Sequence, residues 1–527
     1  MRVFDFASHG SYWLALLPEV ILSIAAMAIL MRDAFVRPGD AAGASGAGAS
    51  GAGAAAADGE RMSVDSLVTL YSIAGALIAS LWLMDASGPP DAMIALDGFR
   101  VAADVIILGG ALLVVSLSRD YLSREGLRSP EFHALILMAL VGMLVLVAAR
   151  DLILLFVGLE LMSISVYVLT GFVRKNPRSS EASLKYFIVG AFASAFVVYG
   201  IALLYGATGT TRLATAAERI AAAAGPGGDL LLVAGIGLLL IGFAFKIAAV
   251  PFHMWAPDAY DGAPTPVTSF MATGVKAAAF IALLRVLTVD LGGAAEVWRG
   301  AVWWLAILTM IVPNLVALAQ EDVKRMLAYS SVAHAGYLLV GVAAASELGR
   351  SASLFYLAAY TVVTAASFAI VFHVAGKGDR NQRVRDYRGL GWRRPVLGAA
   401  LLVFLLSLAG FPPTAGFVGK LYLLRAAIDA GETTLAVTLV LTSLVAYYYY
   451  LRVVWKMYFE AAPKDAHTPP SPKPGFNLVI GTCVALILLA GLLPGRIIDR
   501  ARDALPAPPA ATSEMATAAP DSGNPSP

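Results

Sequence analysis

Four lysines and one glutamate stand inside long apolar segments, where ionisable side chains are rare. They are Lys185, Lys246, Lys276, Lys420 and Glu160. A charge at the centre of a membrane helix costs about 2.5–3.5 kcal/mol on insertion scales. Five such charges would cost on the order of 15 kcal/mol, comparable to the stability of a whole domain. They persist only where they are paired, hydrated or turned toward a polar interior, so we interpret them as functional groups.

Proton transfer is the chemistry that suits this set. Desolvation lowers the pKa of a lysine from about 10.4, and a nearby carboxylate restores the charged form. If Glu160 approaches Lys246 in one state and leaves it in another, the lysine takes up and releases a proton. The remaining lysines, with histidines and water, would relay the charge sideways. Further candidate links in this path are His253, His334, Glu181, Tyr329 and Tyr337.

Ordinary structural roles are the alternative for several of these residues. Lys185 stands about one turn into its segment, so it can reach the interface and pair with Glu181. A lone histidine in a membrane helix is as often a structural hydrogen-bonding group. Reaching the interface explains Lys276 poorly, because it stands about twelve residues into its segment. Three acidic residues are interpreted as interfacial or helix-end groups: Glu19, Asp104 and Asp151.

Two apolar segments are interrupted by prolines close to lysines. Pro251 follows Lys246 by five residues, and Pro412 and Pro413 precede Lys420 by eight and seven. Proline removes an amide donor and clashes with the preceding turn, which frees backbone carbonyls. Broken helices at membrane depth expose such dipoles to ions or water in transporters. A simple kink is the alternative, but both interruptions lie beside buried lysines, which favours a functional interpretation.

The composition excludes a soluble globular protein. The 527 residues are 59% hydrophobic and 14% charged, with a mean hydropathy of +0.75, whereas soluble domains are about 25% charged. The net charge of +2 argues against nucleic-acid binding. The single cysteine, Cys483, excludes internal disulfides. It also excludes an iron–sulfur cluster held by this chain alone, because such clusters need four thiolates.

These segments predict an all-α polytopic membrane protein with about fourteen transmembrane helices. The apolar segments are 13–31, 63–84, 101–118, 132–149, 151–173, 184–206, 229–250, 264–289, 300–319, 325–345, 352–375, 395–424, 434–457 and 476–494. A Gly/Ala linker at 38–60 and a Pro/Ala/Ser tail at 503–527 are predicted to be mobile. The linker contains a formal GxGxxG without a preceding strand or following helix, so we exclude nucleotide binding there.

Basic residues in the loops predict the orientation. Alternate connections, starting with the one after the first segment, carry roughly twice as many Lys and Arg residues as the opposite side, a bias typical of cytoplasmic loops. The 377–394 loop alone has seven. We therefore expect this side to be cytoplasmic and both termini to be periplasmic, in a bacterial inner membrane.

Several runs resemble the antiporter-like membrane subunits of proton-pumping NADH–quinone oxidoreductase, respiratory complex I. They are EASLKYFIVGAFASAFVVYGIALLYGATGTT, FAFKIAAVPFHMWAPDAYDGAPTPVTSFMATGVKAAAF and EDVKRMLAYSSVAHAGYLL. The first run, together with LLPEVILS and GLELMSISVYVLTGFVR, is similar specifically to the subunit N group. The resemblance covers about residues 10–495.

The resemblance implies fourteen helices with two inverted five-helix repeats, helices 4–8 and 9–13, each containing one broken helix. The expected parts are helices 1–3 in 1–131, the repeats in 132–290 and 299–458, and helix 14 in 476–495. It also implies that Glu160 and Lys246 form a modulating pair and that Lys276 is the central relay. Lys185 would be the helix-six lysine, and Lys420 would face the outlet of the second half-channel.

The same resemblance implies where cofactors and partners belong. NADH, FMN, iron–sulfur clusters and quinone would be bound by partner subunits, and this chain would bind no cofactor or metal and do no redox chemistry. The expected partners are other membrane subunits, through them the peripheral redox arm, and membrane lipid, with no nucleic acid.

Three other functions are weighed against this one. A subunit of a multisubunit cation/proton antiporter shares the buried lysines and broken helices, but the subunit-N-like sequence around Glu160 and Lys185 disfavours it. A stand-alone solute transporter commonly has twelve helices and polar substrate-lining residues. A passive membrane scaffold leaves the cost of the buried charges unexplained.

Overall fold

The computed structural model is built almost entirely of helices. It describes residues 2–3, 9–43, 51–89, 92–127, 130–222, 229–463 and 467–505. The helices are α1 His9–Ala15, α2 Leu17–Gly43, α3 Gly51–Trp82, α4 Gly98–Glu125, α5 Pro130–Ala148, α6 Leu152–Thr170, α7 Pro177–Thr208, α8 Leu213–Ala222, α9 Leu230–Lys246, α10 Trp255–Gly262, α11 Thr265–Phe270, α12 Lys276–Arg285, α13 Ala295–Leu318, α14 Val323–Ala343, α15 Glu347–Ala375, α16 Leu390–Arg393, α17 Pro395–Ala409, α18 Ala415–Asp429, α19 Thr433–Phe459, α20 Pro474–Leu492 and α21 Pro494–Asp503.

Short elements complete the chain. Two strands, β1 Arg2–Val3 and β2 Ala86–Ser87, pair in parallel, with Arg2 opposite Ala86. The remaining short elements are the π-helical turns Met271–Val275 and Val286–Asp290 and the 3₁₀ turns Gly292–Ala294 and Val384–Tyr387. The first π-helical turn joins α11 to α12, and the second follows α12. Together these elements form one apolar span over Thr265–Asp290.

The membrane class is confirmed by helix length and composition. Among the described residues, eleven helices are long and apolar enough to cross a membrane. Two shorter apolar helices, α9 and α17, are the first halves of the interrupted segments. The number of fourteen spans stays a prediction.

Carboxylate caps determine where several of the helices begin. Asp151 accepts hydrogen bonds from the amides of Ile153 at 2.8 Å and Leu154 at 3.3 Å, at the start of α6. Asp229 and Asp322 cap α9 and α14 in the same way. Each such cap stabilises a helix start by about 1 kcal/mol. Asp151 is therefore a helix-end group, as predicted.

Both predicted interruptions are present. In the first, α9 ends at Lys246 and α10 begins at Trp255; in the second, α17 ends at Ala409 and α18 begins at Ala415. Each break contains a cis X-Pro peptide bond and a residue in the left-handed region, Ala248 and Gly410 respectively. Lys246 thus ends the helix before the first break, and Lys420 lies in the helix that follows the second break.

Helices α5 and α6 approach closely through a reciprocal pair of glycines. A Cβ added at Gly142 would lie 2.3 Å from the amide nitrogen of Met162, and one added at Gly158 would lie 2.6 Å from that of Leu146. No side chain fits between backbones at that distance. This contact fixes the helix that carries Glu160.

The predicted linker and tail differ from the structure in extent. Helix α2 continues to Gly43 and α3 begins at Gly51, so both ends of the predicted linker 38–60 have helical backbone, and its mobility stays a prediction. Alanine has the highest helix propensity, and that outweighs the glycines here. Residues 44–50 and 506–527 lie outside the described residues, and α21 ends at Asp503.

Candidate proton-transfer site

Lys246 lies at the end of α9 and is buried against α6. Its Nζ donates to Ser163 Oγ at 2.6 Å and to Tyr167 Oη at 3.2 Å. Its ammonium position also lies 5.4 Å from the centre of the Tyr167 ring. The lysine is only 4% exposed, so hydroxyl groups replace the water that a charged amine would otherwise bind.

Glu160 precedes Ser163 by one helical turn on α6 and is partly buried. Its carboxylate accepts a hydrogen bond from Ser194 of α7. Among the described residues there is no direct ion pair between Glu160 and Lys246. Lys246 instead bonds the hydroxyl of Ser163, which donates in turn to the backbone carbonyl of Leu159.

Lys276 follows the π-helical turn Met271–Val275 and is buried against α14. Its Nζ donates to the backbone carbonyl and the hydroxyl of Ser331. The ring of Tyr360, on α15, lies 6.0 Å away. Only neutral oxygens accept its hydrogen bonds.

His334 lies one helical turn beyond Ser331 on α14 and joins three helices. Its Nδ1 is 2.6 Å from Tyr356 Oη on α15, and its Nε2 is 3.2 Å from Tyr450 Oη on α19. Tyr450 also bonds the hydroxyl of Ser330. On α14, His334 lies between Ser331, which bonds Lys276, and Tyr337, whose ring lies beside Lys420.

Lys420 reaches back from α18 to the broken end of α17. Its Nζ donates to the carbonyls of Leu408 at 3.1 Å and Ala409 at 2.9 Å. The carboxyl end of a helix carries a partial negative charge that favours a cation. The Nζ also lies 4.6 Å from the centre of the Tyr337 ring, whose hydroxyl accepts from Asn314 at 3.1 Å.

Three residues of α14 form a continuous face between these lysines. Ser331, His334 and Tyr337 are three residues apart, a spacing that places them on one side of a helix. Ser331 contacts Lys276 and Tyr337 contacts Lys420. We call these three residues the α14 face, and we call Lys246, Lys276 and Lys420 the lysine row.

Lys185 lies outside this buried arrangement. Its Nζ is 2.7 Å from Glu181 and 3.2 Å from Asp258 of α10, and its side chain is 50% exposed. Asp258 in turn pairs with Arg325 at the start of α14. Lys185 and Glu181 therefore belong to an exposed ion-pair network that joins three helices.

The two remaining candidate links are not joined to the lysine row by the hydrogen bonds of the described residues. His253 is partly buried in the first break, and its Nδ1 has no hydrogen-bond partner among the described residues. Tyr329 is partly buried and lies beside Arg325. Their roles stay predictions.

Sequence reasoning missed a buried ionic group in the first helices. Glu19 and Asp104, interpreted as interfacial, are 4% and 1% exposed and lie on either side of Arg100. Both were interpreted as interfacial or helix-end groups, and Glu19 does lie in the first turn of α2. The sequence did not reveal their burial around Arg100, because Arg100 stands just outside the predicted apolar segment. The i, i+4 spacing of Arg100 and Asp104 was the available signal.

Lys324 is a further buried lysine that the sequence did not single out. It is 1% exposed, and its Nζ donates to the carbonyls of Asp261 at 3.0 Å and Ala263 at 2.7 Å. Its place at the first turn of α14 made it resemble a loop cation. It ties α14 to the turn that follows α10.

The chain is similar to proteins of known family along most of its length. Residues 149–446 match the family described as "NADH:quinone oxidoreductase/Mrp antiporter, TM". "NADH-quinone oxidoreductase subunit N" of Trichlorobacter lovleyi is 44% identical over 498 residues, which are 93% of this chain and 96% of that protein. The chain belongs to this family. "NADH-quinone oxidoreductase subunit N 1" of Sorangium cellulosum is 50% identical over 402 residues, covering 74% of this chain and 79% of that protein.

Solved structures share the fold. A chain of respiratory complex I from Thermus thermophilus superposes with a TM-score of 0.75 at 35% identity, covering 92% of this chain and 98% of that one. A chain of the Mrp complex from Dietzia sp. superposes with a TM-score of 0.76 at 23% identity, covering 93% and 97%. The Mrp likeness carries the fold alone, whereas subunit N relatives match in sequence as well.

Proposed function

We propose that this chain is the proton-translocating subunit N of an NADH–quinone oxidoreductase, and that quinone reduction in other subunits drives its proton transfer. The observation that supports this most is the lysine row: three buried lysines whose amines, among the described residues, bond only neutral oxygens. An ammonium has three donors and an amine two. Each lysine can therefore lose a proton and keep its hydroxyl or carbonyl partners.

The proposed path runs along the α14 face. A proton on Lys276 passes through the Ser331 hydroxyl toward His334, whose two ring nitrogens can bind and release protons on opposite sides. Tyr356 and Tyr450, bonded to those nitrogens, orient the ring. The proton then reaches Lys420 beside Tyr337, at the carboxyl end of α17.

Glu160 and Lys246 act as the modulating pair in this proposal. In the structure Lys246 bonds Ser163 rather than Glu160, and Glu160 is held by Ser194. Release of Glu160 from Ser194 and rotation toward Lys246 would favour the charged lysine. The return movement would favour loss of its proton, which is then passed along the row.

The cofactors belong to partner subunits in this proposal. NADH, FMN, iron–sulfur clusters and quinone would bind in the assembled enzyme, and this chain would contribute translocation without redox chemistry. Contacts with other membrane subunits and lipid would cover its exposed apolar side chains. The bacterial inner membrane is its proposed location.

Purification of the tagged full-length chain from its native membrane tests the function. We expect it to bring down a complex that oxidises NADH with quinone and acidifies the vesicle lumen. The antiporter alternative predicts a complex that exchanges Na⁺ for H⁺ and has no NADH activity. Sodium exchange without a redox partner would contradict the proposal.

A further inference from the structure

A second buried charge cluster lies at one end of the helix bundle, apart from the lysine row. Arg100, in the first turn of α4, donates from Nη2 to Glu19 Oε1 at 2.8 Å. Its Nε lies 3.8 Å from Asp104 Oδ2, and Ser80 of α3 donates to that same oxygen at 3.0 Å. The three charged side chains are each at most 5% exposed. Three helices thus enclose two carboxyls and one guanidinium.

A second ion pair adjoins this cluster without balancing its charge. Arg285, at the end of α12, forms a bidentate pair with Asp97 at 2.7 and 2.8 Å. Asp97 also accepts from the backbone amide of Arg100 at 2.8 Å. Burial alone would raise the pKa of Asp97, but the guanidinium of Arg285 holds that pKa below its usual value. Asp97 is therefore ionised and uses the charge of Arg285.

The other charged groups around the cluster also occur as balanced partners. Asp290, beyond the π-helical turn Val286–Asp290, is near Arg150 as well as Arg285. Arg350 of α15 donates to the carbonyl of Thr288 at 3.2 Å and is near Glu347, which itself pairs with Arg502 of α21 at 3.3 Å. Arginine stays charged at every physiological pH. Within the cluster itself, Arg100 is therefore the one guanidinium, among the described residues, that pairs with the two carboxyls of Glu19 and Asp104.

A full set of ionised carboxylates would leave an uncompensated negative charge in a buried site. Such a charge is strongly disfavoured, and the group binds a proton instead. The hydrogen bonds distinguish the two carboxyls of the cluster. Each has one oxygen, Glu19 Oε2 and Asp104 Oδ1, without a hydrogen-bond partner among the described residues. The other oxygen of Glu19 accepts a charge-assisted bond from Arg100. The other oxygen of Asp104 accepts from the neutral hydroxyl of Ser80 and lies 3.8 Å from Arg100 Nε, too far for such a bond.

We propose that Glu19, Arg100 and Asp104 form a proton-binding site in which Asp104 is a neutral carboxylic acid in the resting protein. Arg285 is nine residues beyond Lys276 on the same span, which corresponds to about 13 Å along a helix. The site therefore lies at the far end of the helix that carries the central lysine. The sequence predicts this end to face the periplasm. Resting on the proposed function, its role is to accept protons on the way to the outer side.

Infrared spectroscopy of the assembled complex tests the site at rest, without turnover. A protonated aspartic acid gives a carbonyl band that shifts in heavy water and on carbon-13 labelling of aspartate. We expect Asp104→Asn to remove one such band per chain. Asp229→Asn, at an exposed helix cap outside the cluster, is the matched control and should retain it.

Variants of the residues around Asp104 provide a second test of its protonation. Glu19→Gln removes the excess negative charge, so Asp104 should ionise and the same band should disappear. Ser80→Ala removes only the hydroxyl donor to Asp104, so the band should persist at a shifted frequency. This last variant keeps the test decisive if Asp104→Asn fails to assemble.

Three results would overturn the proposal. The first is a band that is unchanged in Asp104→Asn. The second is loss of the band in Asp290→Asn instead. The third is displacement of the proton when potassium chloride is replaced by sodium chloride, which would make the cluster a metal-cation site. None of these depends on pumping, so they are distinguishable from failure of the proposed function.

Discussion

At the scale of single residues, the members of the lysine row share the lack of a direct carboxylate partner among the described residues. Ser163, Ser331 and the carbonyl of Ala409 are neutral, and no carboxylate of the described part of the chain lies within hydrogen-bond distance of these lysines. A direct carboxylate partner would strengthen the charged form. The surrounding oxygens therefore leave both protonation states accessible.

Lys246 should be sensitive to substitution by arginine. Arginine keeps its proton at a pKa above about 12, so Lys246→Arg preserves a positive charge yet releases no proton. We expect Lys246→Ala and Lys246→Arg both to lower proton transfer in sealed vesicles at least tenfold and to slow NADH–quinone turnover in parallel. Rates are normalised to assembled complex on native gels. Full pumping by the arginine variant would remove Lys246 from the path.

Glu160 should require charge more than length. Glu160→Gln removes the charge that acts on Lys246, whereas Glu160→Asp retains it on a shorter side chain. We expect pumping to fall severalfold further in the glutamine variant. Glu218→Gln, on the exposed side of α8, is the control and should change pumping little. Near-normal pumping in both Glu160 variants would show that Glu160 has only a structural role.

Local signals in the sequence predicted the lysine row but not its partners. A lysine in an apolar run is costly and therefore visible, and the same is true of Glu160. Ser163, Tyr356 and Tyr450 are ordinary residues of membrane helices and become partners only when distant helices pack. The burial of Arg100 could not be predicted because the apolar segment begins directly after it, at residue 101. The residue becomes buried only because α2 and α3 cover this end of α4.

At the scale of helices, the two breaks differ in how they use their lysines. Lys246 terminates α9, whereas Lys420 belongs to the second half, α18, and reaches back to the end of α17. Prolines predicted where each break lies, because the loss of an amide donor is local. The prolines could not predict whether the lysine belongs to the helix before the break or to the helix after it, since that depends on how the two helices are placed.

Gly410 should be required for the position of Lys420. Its φ is +91°, and an added Cβ would lie 2.9 Å from Cδ of Lys420. Gly431 has a φ of +77° with no atom within 4 Å of an added Cβ, so Gly431→Ala shares the backbone strain alone. Both variants should lose about 1 kcal/mol of stability. We expect only Gly410→Ala to lower pumping by an additional severalfold, measured per assembled complex; equal pumping would mean that Lys420 tolerates displacement.

At the scale of the whole molecule, the orientation determines which way protons travel. The 377–394 loop is predicted to be cytoplasmic from its seven Lys and Arg residues. This prediction concerns the charge of the loops and is independent of the packing of the helices. It also places α14 with its first residue on the cytoplasmic side.

Reporter fusions test that orientation. A fluorescent protein that matures only in the cytoplasm should stay dark when fused to the C-terminus, and an outward-active phosphatase should be active there. The same fluorescent protein placed within the 377–394 loop should be bright. Fluorescence at the C-terminus would show that a span has been miscounted.

The α14 face has an electrical consequence. Ser331 and Tyr337 are six residues apart, which is about 9 Å along a helix axis, or roughly a third of a hydrocarbon layer about 30 Å thick. A charge passing from Lys276 to Lys420 thus crosses about a third of the voltage. At 100 mV that step alone opposes the transfer by about 0.7 kcal/mol. In the proposed relay and orientation, an energised membrane would therefore slow this step and a depolarised one would release it, so the chain would itself sense the gradient that it builds.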